Sequence, residues 1–188
     1  MSPERTITAL WIAWLVSWVV AAVWSSRTEK MGNVAGEILS RIFLIAGAIL
    51  LFGDYKPAQF WSFGGALKWT LAAITLAGLA FTWWVRIHLG RLWSALGVQV
   101  KAGHHVVDTG PYHMVRHPIY SGLILAAFAT AIEKGTSFAL LGGALIFFSL
   151  YRKARGEERF LRLELGPAYD AYARKTTMLV PSIGRKSD

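Results

Sequence analysis

The feature that most limits what this chain can become is a run of 18 residues, Ile7 to Trp24 (ITALWIAWLVSWVVAAVW), without one charge. As a helix it rises about 27 Å, close to the ~30 Å hydrocarbon core of a bilayer. Arg5 and Arg27 flank it, and Trp stands at or near both ends. A cleaved signal peptide fits less well, because the basic leader is thin and no clear small-x-small site follows. The run predicts a membrane helix.

Further apolar stretches follow the same logic. One spans Ile38 to Phe52, with Arg41 near its start able to snorkel, and ends at Gly53-Asp54. The longest, Leu67 to Leu89, closes with Trp83-Trp84-Val85-Arg86-Ile87-His88. Interface anchoring is the favoured reading of Arg86 and His88 there, ahead of a place in a site. Ile119 to Ile132 and Thr136 to Tyr151 are short and joined by Glu133-Lys134-Gly135, which predicts a helical hairpin. Gly122 and Ala126-Ala127 are expected to face Gly142-Gly143 and Ala144 across it. A hydrophobic share of 54%, a mean hydropathy of +0.41 and nine Trp, read as interfacial belts, belong to an integral membrane protein.

From Arg152 the pattern changes. Phe160, Leu161, Leu163 and Leu165 lie among Arg and Glu, as in an amphipathic helix at a membrane surface. Gly166-Pro167 interrupts it, and Ala168 to Lys175 is expected to form another short helix. The predicted fold is all-α and polytopic, with about five transmembrane helices including the hairpin, plus C-terminal amphipathic helices. It reads as one domain over 1–188, with spans in 1–94 and a cofactor-binding core in 95–188.

The net charge of +9 is concentrated after the last apolar stretch, so an anionic membrane face, not nucleic acid, is the expected partner. Nine Lys and Arg from Arg152 to Lys186 join Arg27, Lys30, Arg91, Lys101 and Arg116 on one side. The positive-inside rule then places the N-terminus outside and the C-terminus in the cytosol, in an inner or plasma membrane. Without cysteine there is no thiolate chemistry, and His104-His105 and His113/His117 lack carboxylates at a metal-ligand spacing. Nothing in the pattern sets an oligomeric state.

Between the apolar stretches lies Gly110-Pro111-Tyr112-His113-Met114-Val115-Arg116-His117-Pro118-Ile119-Tyr120-Ser121-Gly122. Pro118 suits the first turn of a helix, which puts Arg116 and His117 at its entrance. Free N–H groups and the positive dipole end would there attract an anion. A plainer reading is a basic loop that holds topology. Intramembrane or membrane-edge ionisable residues with a cytosolic opening make a site, and the candidates are Gln99, His104, His105, Tyr112, Arg116, His117, Tyr120, Arg152, Arg155, Glu157 and Glu158. A solvated helix face, with Glu158 pairing Arg162, explains the two Glu equally well.

The segments HHVVDTGPYHMVRHPIYSG and GEERFLRLELGPAYDAYARKTTMLVP resemble the isoprenylcysteine carboxyl methyltransferase superfamily, itself similar to membrane phospholipid methyltransferases. The resemblance covers about 95–181 and rests on Gly110-Pro111-Tyr112, Arg116-His117-Pro118-Ile119-Tyr120-Ser121-Gly122, Glu157-Glu158 and Gly166-Pro167-Ala168-Tyr169-Asp170-Ala171-Tyr172 together. It implies S-adenosylmethionine as cofactor, bound from the cytosol, and a prenylated or other lipid acceptor entering from the bilayer. The implied cofactor shell is Gln99, His104, His105, Val106, Val107, Tyr112, Arg116, His117, Pro118, Ile119, Tyr120 and Glu157. A basic residue before the Glu pair would orient the acceptor's carboxylate. Lys153 stands there, with Arg152 and Arg155 beside it, and Lys lacks the bidentate fork of Arg. Val106 is a minor departure from the family pattern. A carboxylate acceptor is already ionised at neutral pH, whereas an amine would need Glu158 or His113 to take up a proton. Other readings are a phospholipid or small-lipid methyltransferase, an NADPH-dependent sterol-reductase-like enzyme, and a non-enzymatic membrane scaffold.

Overall fold

The computed structural model describes residues 1–22, 28–31, 34–54, 59–90, 99–101 and 106–181. Among them are seven helices: α1 (Pro3–Ala21), α2 (Val34–Phe52), α3 (Gly65–Leu89), α4 (Pro111–Met114), α5 (Pro118–Lys134), α6 (Ser137–Leu165) and α7 (Pro167–Lys175). α1 and α3 are long and apolar enough to cross a membrane, and the apolar part of α2, Ile38–Phe52, is shorter. Proline opens α1, α4, α5 and α7, where the missing N–H has no partner to lose. α1 begins four residues before its apolar run, because Ser2 caps it and accepts from Arg5 N at 3.4 Å.

The fold is helical, as expected, with one short antiparallel ribbon beside the helices: β1 (Thr28–Met31) pairs with β2 (Gln99–Lys101). It ties the connection after α1 to the one after α3, so both lie at one end of the bundle. At that same end Arg86 donates to Gly90 O at 2.9 Å and to Ala21 O at 3.0 Å. It is 1% exposed and caps the carboxyl ends of α3 and α1. Interface anchoring is therefore not its role; unsatisfied helix-end carbonyls drew it inward.

Two glycine contacts set the helix pairs. A Cβ on Gly78 of α3 would lie 2.7 Å from Gly122 O of α5, and one on Gly47 of α2 would lie 2.8 Å from Gly142 O of α6. Small residues let backbones approach this closely in lipid. Gly122 and Gly142 thus serve different neighbours and do not face each other across the hairpin. The hairpin itself forms, turning at Gly135 with φ 65, and Ala127, Ala131, Ala139, Ile146 and Leu150 pack with Leu51 as the core.

Tryptophans expected at the lipid interface instead bind helices together. Trp11 Nε1 donates to Thr130 Oγ1 at 3.0 Å, Trp14 Nε1 to Thr82 Oγ1 at 2.7 Å, and Trp83 Nε1 to Ser17 Oγ at 3.1 Å. Indole N–H groups in an apolar interior need an acceptor, and hydroxyls on neighbouring helices supply it. α6 also differs from expectation. It runs unbroken for 29 residues, carrying the charged stretch from Arg152 to Leu165 as an extension of the apolar helix.

Candidate active site

α5 starts at Pro118 and the extension of α6 passes beside it, so helix geometry alone stacks Lys153 over Glu157 and Ala154 over Glu158, each four residues apart. Tyr120 OH donates to Glu157 Oε1 at 2.5 Å. The His117 ring lies parallel to Tyr120, with centroids 5.5 Å apart, and its Nδ1 is 3.4 Å from Glu157 Oε2. His117 Nε2 lies 3.5 Å from Glu158 Oε1. Lys153 Nζ is 3.9 Å from Glu157 Oε1 and 5.9 Å from the centre of the Tyr120 ring.

Each charge shifts its neighbours. Burial would lower the His117 pKa, but hydrogen bonding to Glu157 and Glu158 outweighs it and holds the imidazole above its ordinary value. Burial would raise Glu157, yet its hydrogen bond with His117, the His117 and Lys153 charges and the Tyr120 hydroxyl hold it below the usual range. Glu158, likewise opposed by burial, is brought down to about 2 by His117 and Arg116. At neutral pH the site therefore holds two carboxylates beside cations. Tyr112 is raised by burial, by Tyr172 and by the Glu157 charge.

Just ahead of the helix, the backbone N–H groups of Arg116 and His117 are taken up and are not offered to an anion. Arg116 N donates to Thr177 O at 2.8 Å and His117 N to Met178 O at 3.1 Å, while Ser121 Oγ reaches Leu179 O at 2.5 Å. A C-terminal strap, residues 176–180, occupies those groups and adds a parallel bridge between Val115 and Thr177. Arg116 is committed to the same strap: Nε donates to Glu158 Oε1 at 2.6 Å, and Nη1 to the carbonyls of Ala173 (3.0 Å) and Thr176. Arg162 Nη2 also holds Glu158 at 3.3 Å, so the plain i,i+4 pair exists alongside the cluster.

Of the three basic candidates before Glu157, Lys153 alone among them has a contact with the cluster. Arg152 lies over Phe148 at 5.9 Å, and Arg155 is exposed. Pro118 is buried; Ile119, Val106 and Val107 are half-buried. His104, His105 and the side chain of Gln99 lie outside the described residues; the Gln99 backbone pairs with Met31 in the ribbon. His88, for which a place in a site is the less favoured reading of the sequence, and Tyr172, outside the expected shell, join the group. The His88 ring stacks on Tyr112 with centroids 6.5 Å apart and its Nε2 is 3.1 Å from Thr109 Oγ1, while Tyr172 OH donates to Tyr112 O at 2.7 Å. The Tyr169/Tyr172 spacing was visible in sequence; its partner on α4 was not.

Residues 71–162, from α3 through this cluster, match the model of the isoprenylcysteine carboxyl methyltransferase family. That stretch, just under half of the chain, is similar to the family. Similar proteins include a probable protein-S-isoprenylcysteine O-methyltransferase of Oryza sativa subsp. indica, 28% identical over 71% of this chain and 68% of that protein. Methanethiol S-methyltransferase 2 of Bradyrhizobium diazoefficiens is 30% identical over 78% of this chain and 58% of its own. The nickel-cobalt-cadmium resistance protein NccN of Alcaligenes xylosoxydans xylosoxydans is 32% identical over 61% and 53%. The chain thus spans between about half and two-thirds of the length of these relatives.

Proposed function

We propose that this membrane protein is an S-adenosylmethionine-dependent methyltransferase acting on the carboxylate of a prenylated cysteine or a similar lipophilic acceptor. The observation that carries this is the cluster of Tyr120, His117 and Lys153 around an ionised Glu157, within the stretch matched to the family. The donor set fits the cofactor: a carboxylate for an ammonium or ribose hydroxyls, an aromatic face for a sulfonium, and cations for a carboxylate. The cofactor, when bound, supplies an electrophilic methyl group. Gln99, His104, His105, Val106, Val107, Tyr112, His117, Pro118, Ile119, Tyr120 and Glu157 form its proposed shell, and Lys153, flanked by Arg152 and Arg155, orients the acceptor.

A thiol acceptor, the chemistry named in the Bradyrhizobium relatives, must lose a proton whose ordinary pKa is about 8.5. Glu158, held at about 2, is too weak a base for that step, and the pKa of His117 is shifted up, toward its protonated form, by Glu157 and Glu158. This favours an acceptor that arrives ionised, for which the protein need only position the reactants and exclude water. The five apolar helices α1, α2, α3, α5 and α6 are proposed to span the membrane, with the N-terminus outside and the site facing the cytosol.

Calorimetric titration of the detergent-solubilised protein with S-adenosylhomocysteine, and with NADPH in parallel, tests the reading. Saturable binding of the first alone is expected, with loss of binding in Glu157→Ala and His117→Ala. Binding of NADPH alone would overturn the methyltransferase reading. Wild-type affinity in either variant would overturn the site.

A further inference from the structure

A second polar site lies at the other end of the bundle. Glu133 is sixteen residues beyond His117 along α5, about 24 Å by helical rise. There the carboxyl end of α5 meets the end of α2 and the starts of α1 and α3. A cavity of about 240 Å³ opens between them, lined among others by Glu4, Asp54, Gln59, Lys68, Glu133 and Lys134. Its lining mixes both signs of charge.

Glu133 is the group that asks for a ligand. Its side chain is 2% exposed, and among the described residues no hydrogen-bond donor reaches the buried Oε1. Such an oxygen is costly to bury unless something donates to it. Among the described residues, Lys68 Nζ stands 3.6 Å away, an ion pair longer than a hydrogen bond. Lys134 is engaged with Gly53 O at 3.0 Å, and Gln59 Nε2 donates to Lys134 O at 3.3 Å. Lys68 is a quarter exposed, and an ammonium has three N–H donors, so it can serve an anion beside Glu133. Next in sequence to lining residues are the exposed apolar side chains Phe60 (72%), Leu67 (44%) and Ile132 (37%). An occupant therefore needs a cationic donor, an anionic group and an apolar tail.

We propose that this cavity holds the headgroup of a phospholipid bearing a primary ammonium, the ammonium donating to Glu133 and the phosphate accepting from Lys68. A choline headgroup has no N–H and leaves Glu133 unsatisfied. The separation from His117 along α5 makes this a site apart from the proposed methyl-transfer chemistry, and it stands whether or not that chemistry is correct.

Native mass spectrometry of the full chain in detergent, titrated with dihexanoyl phosphatidylethanolamine, dihexanoyl phosphatidylcholine or free phosphoethanolamine, tests it. The ethanolamine lipid should bind about tenfold or more tightly than the choline lipid, as expected for a hydrogen bond to a charged group. Glu133→Gln should abolish that preference. Equal affinity for the two lipids, or a preference retained in Glu133→Gln, overturns the proposal. Free phosphoethanolamine binding as tightly as the lipid overturns the lipid assignment in favour of a soluble zwitterion. If Glu133→Gln does not fold, Lys68→Ala decides: it should weaken the ethanolamine lipid by about tenfold, and unchanged affinity overturns the site.

Discussion

Replacing Arg116 by alanine should release the C-terminal strap. Its Nε holds Glu158 at 2.6 Å with both side chains nearly buried, and its Nη1 grips the carbonyls of Ala173 and Thr176. Removing one partner of a buried ion pair costs about 3–5 kcal/mol. His117 and Arg162 remain 3.5 and 3.3 Å from Glu158, so the lower end, about 3 kcal/mol, applies. That corresponds to about a 100-fold shift in the local opening equilibrium. Hydrogen-exchange mass spectrometry reads it directly, because the amides of Arg116 and His117 are bonded to Thr177 O and Met178 O. They should exchange about 100-fold faster, while amides at 126–131 in the core of α5 stay unchanged. Arg116→Lys should fall between, since a point charge restores the pair with Glu158 but not the grip on two carbonyls. Exchange in Arg116→Ala within about threefold of wild type would refute the clamp and leave the strap held by the backbone ladder and the Ser121 hydroxyl.

Gly122→Ala places a methyl group 2.7 Å from Gly78 O and should cost about 1–3 kcal/mol in thermal unfolding. Gly156→Ala, with nothing within 4 Å, should instead stabilise α6 by up to about 1 kcal/mol. The ion cluster gives stability a two-sided pH dependence. The carboxylates' contribution is complete above the ordinary value of 4.5 and is lost as pH falls toward about 2, the folded value of Glu158. The His117 contribution is complete below its ordinary 6.5 and is lost as pH rises through its raised folded value. Stability should therefore be greatest between about 4.5 and 6.5, and a monotonic profile from pH 3 to 9 would contradict the cluster. Lys153→Ala should lower turnover on an anionic acceptor about tenfold or more, with Arg152→Ala and Arg155→Ala closer to wild type; equal losses in all three would remove Lys153's special position.

The parts of the molecule legible in the chain were those set by local rules. Apolar runs of bilayer length gave α1 and α3, Pro118 marked the start of α5, and Gly166-Pro167 marked the break before α7. Glu157 and Glu158, in one turn of α6, stand with His117 and Tyr120 where that helix passes the start of α5. The ribbon between β1 and β2 was not legible: neither four-residue β1 nor three-residue β2 has an alternation long enough to signal a strand.

Composition and local periodicity thus give a helical chain with helices long and apolar enough to cross a membrane, its polar residues gathered before α5 and after the apolar part of α6. Which of those polar groups are available was settled only by packing. Arg116 and Arg86 read alike in the chain, as basic residues at helix ends, yet one clamps a strap and the other caps two helices. The reason is that a buried cation takes whichever acceptors the fold leaves unsatisfied, and those carbonyls belong to segments tens of residues away, at Ala173 and Thr176 for one and at Ala21 for the other.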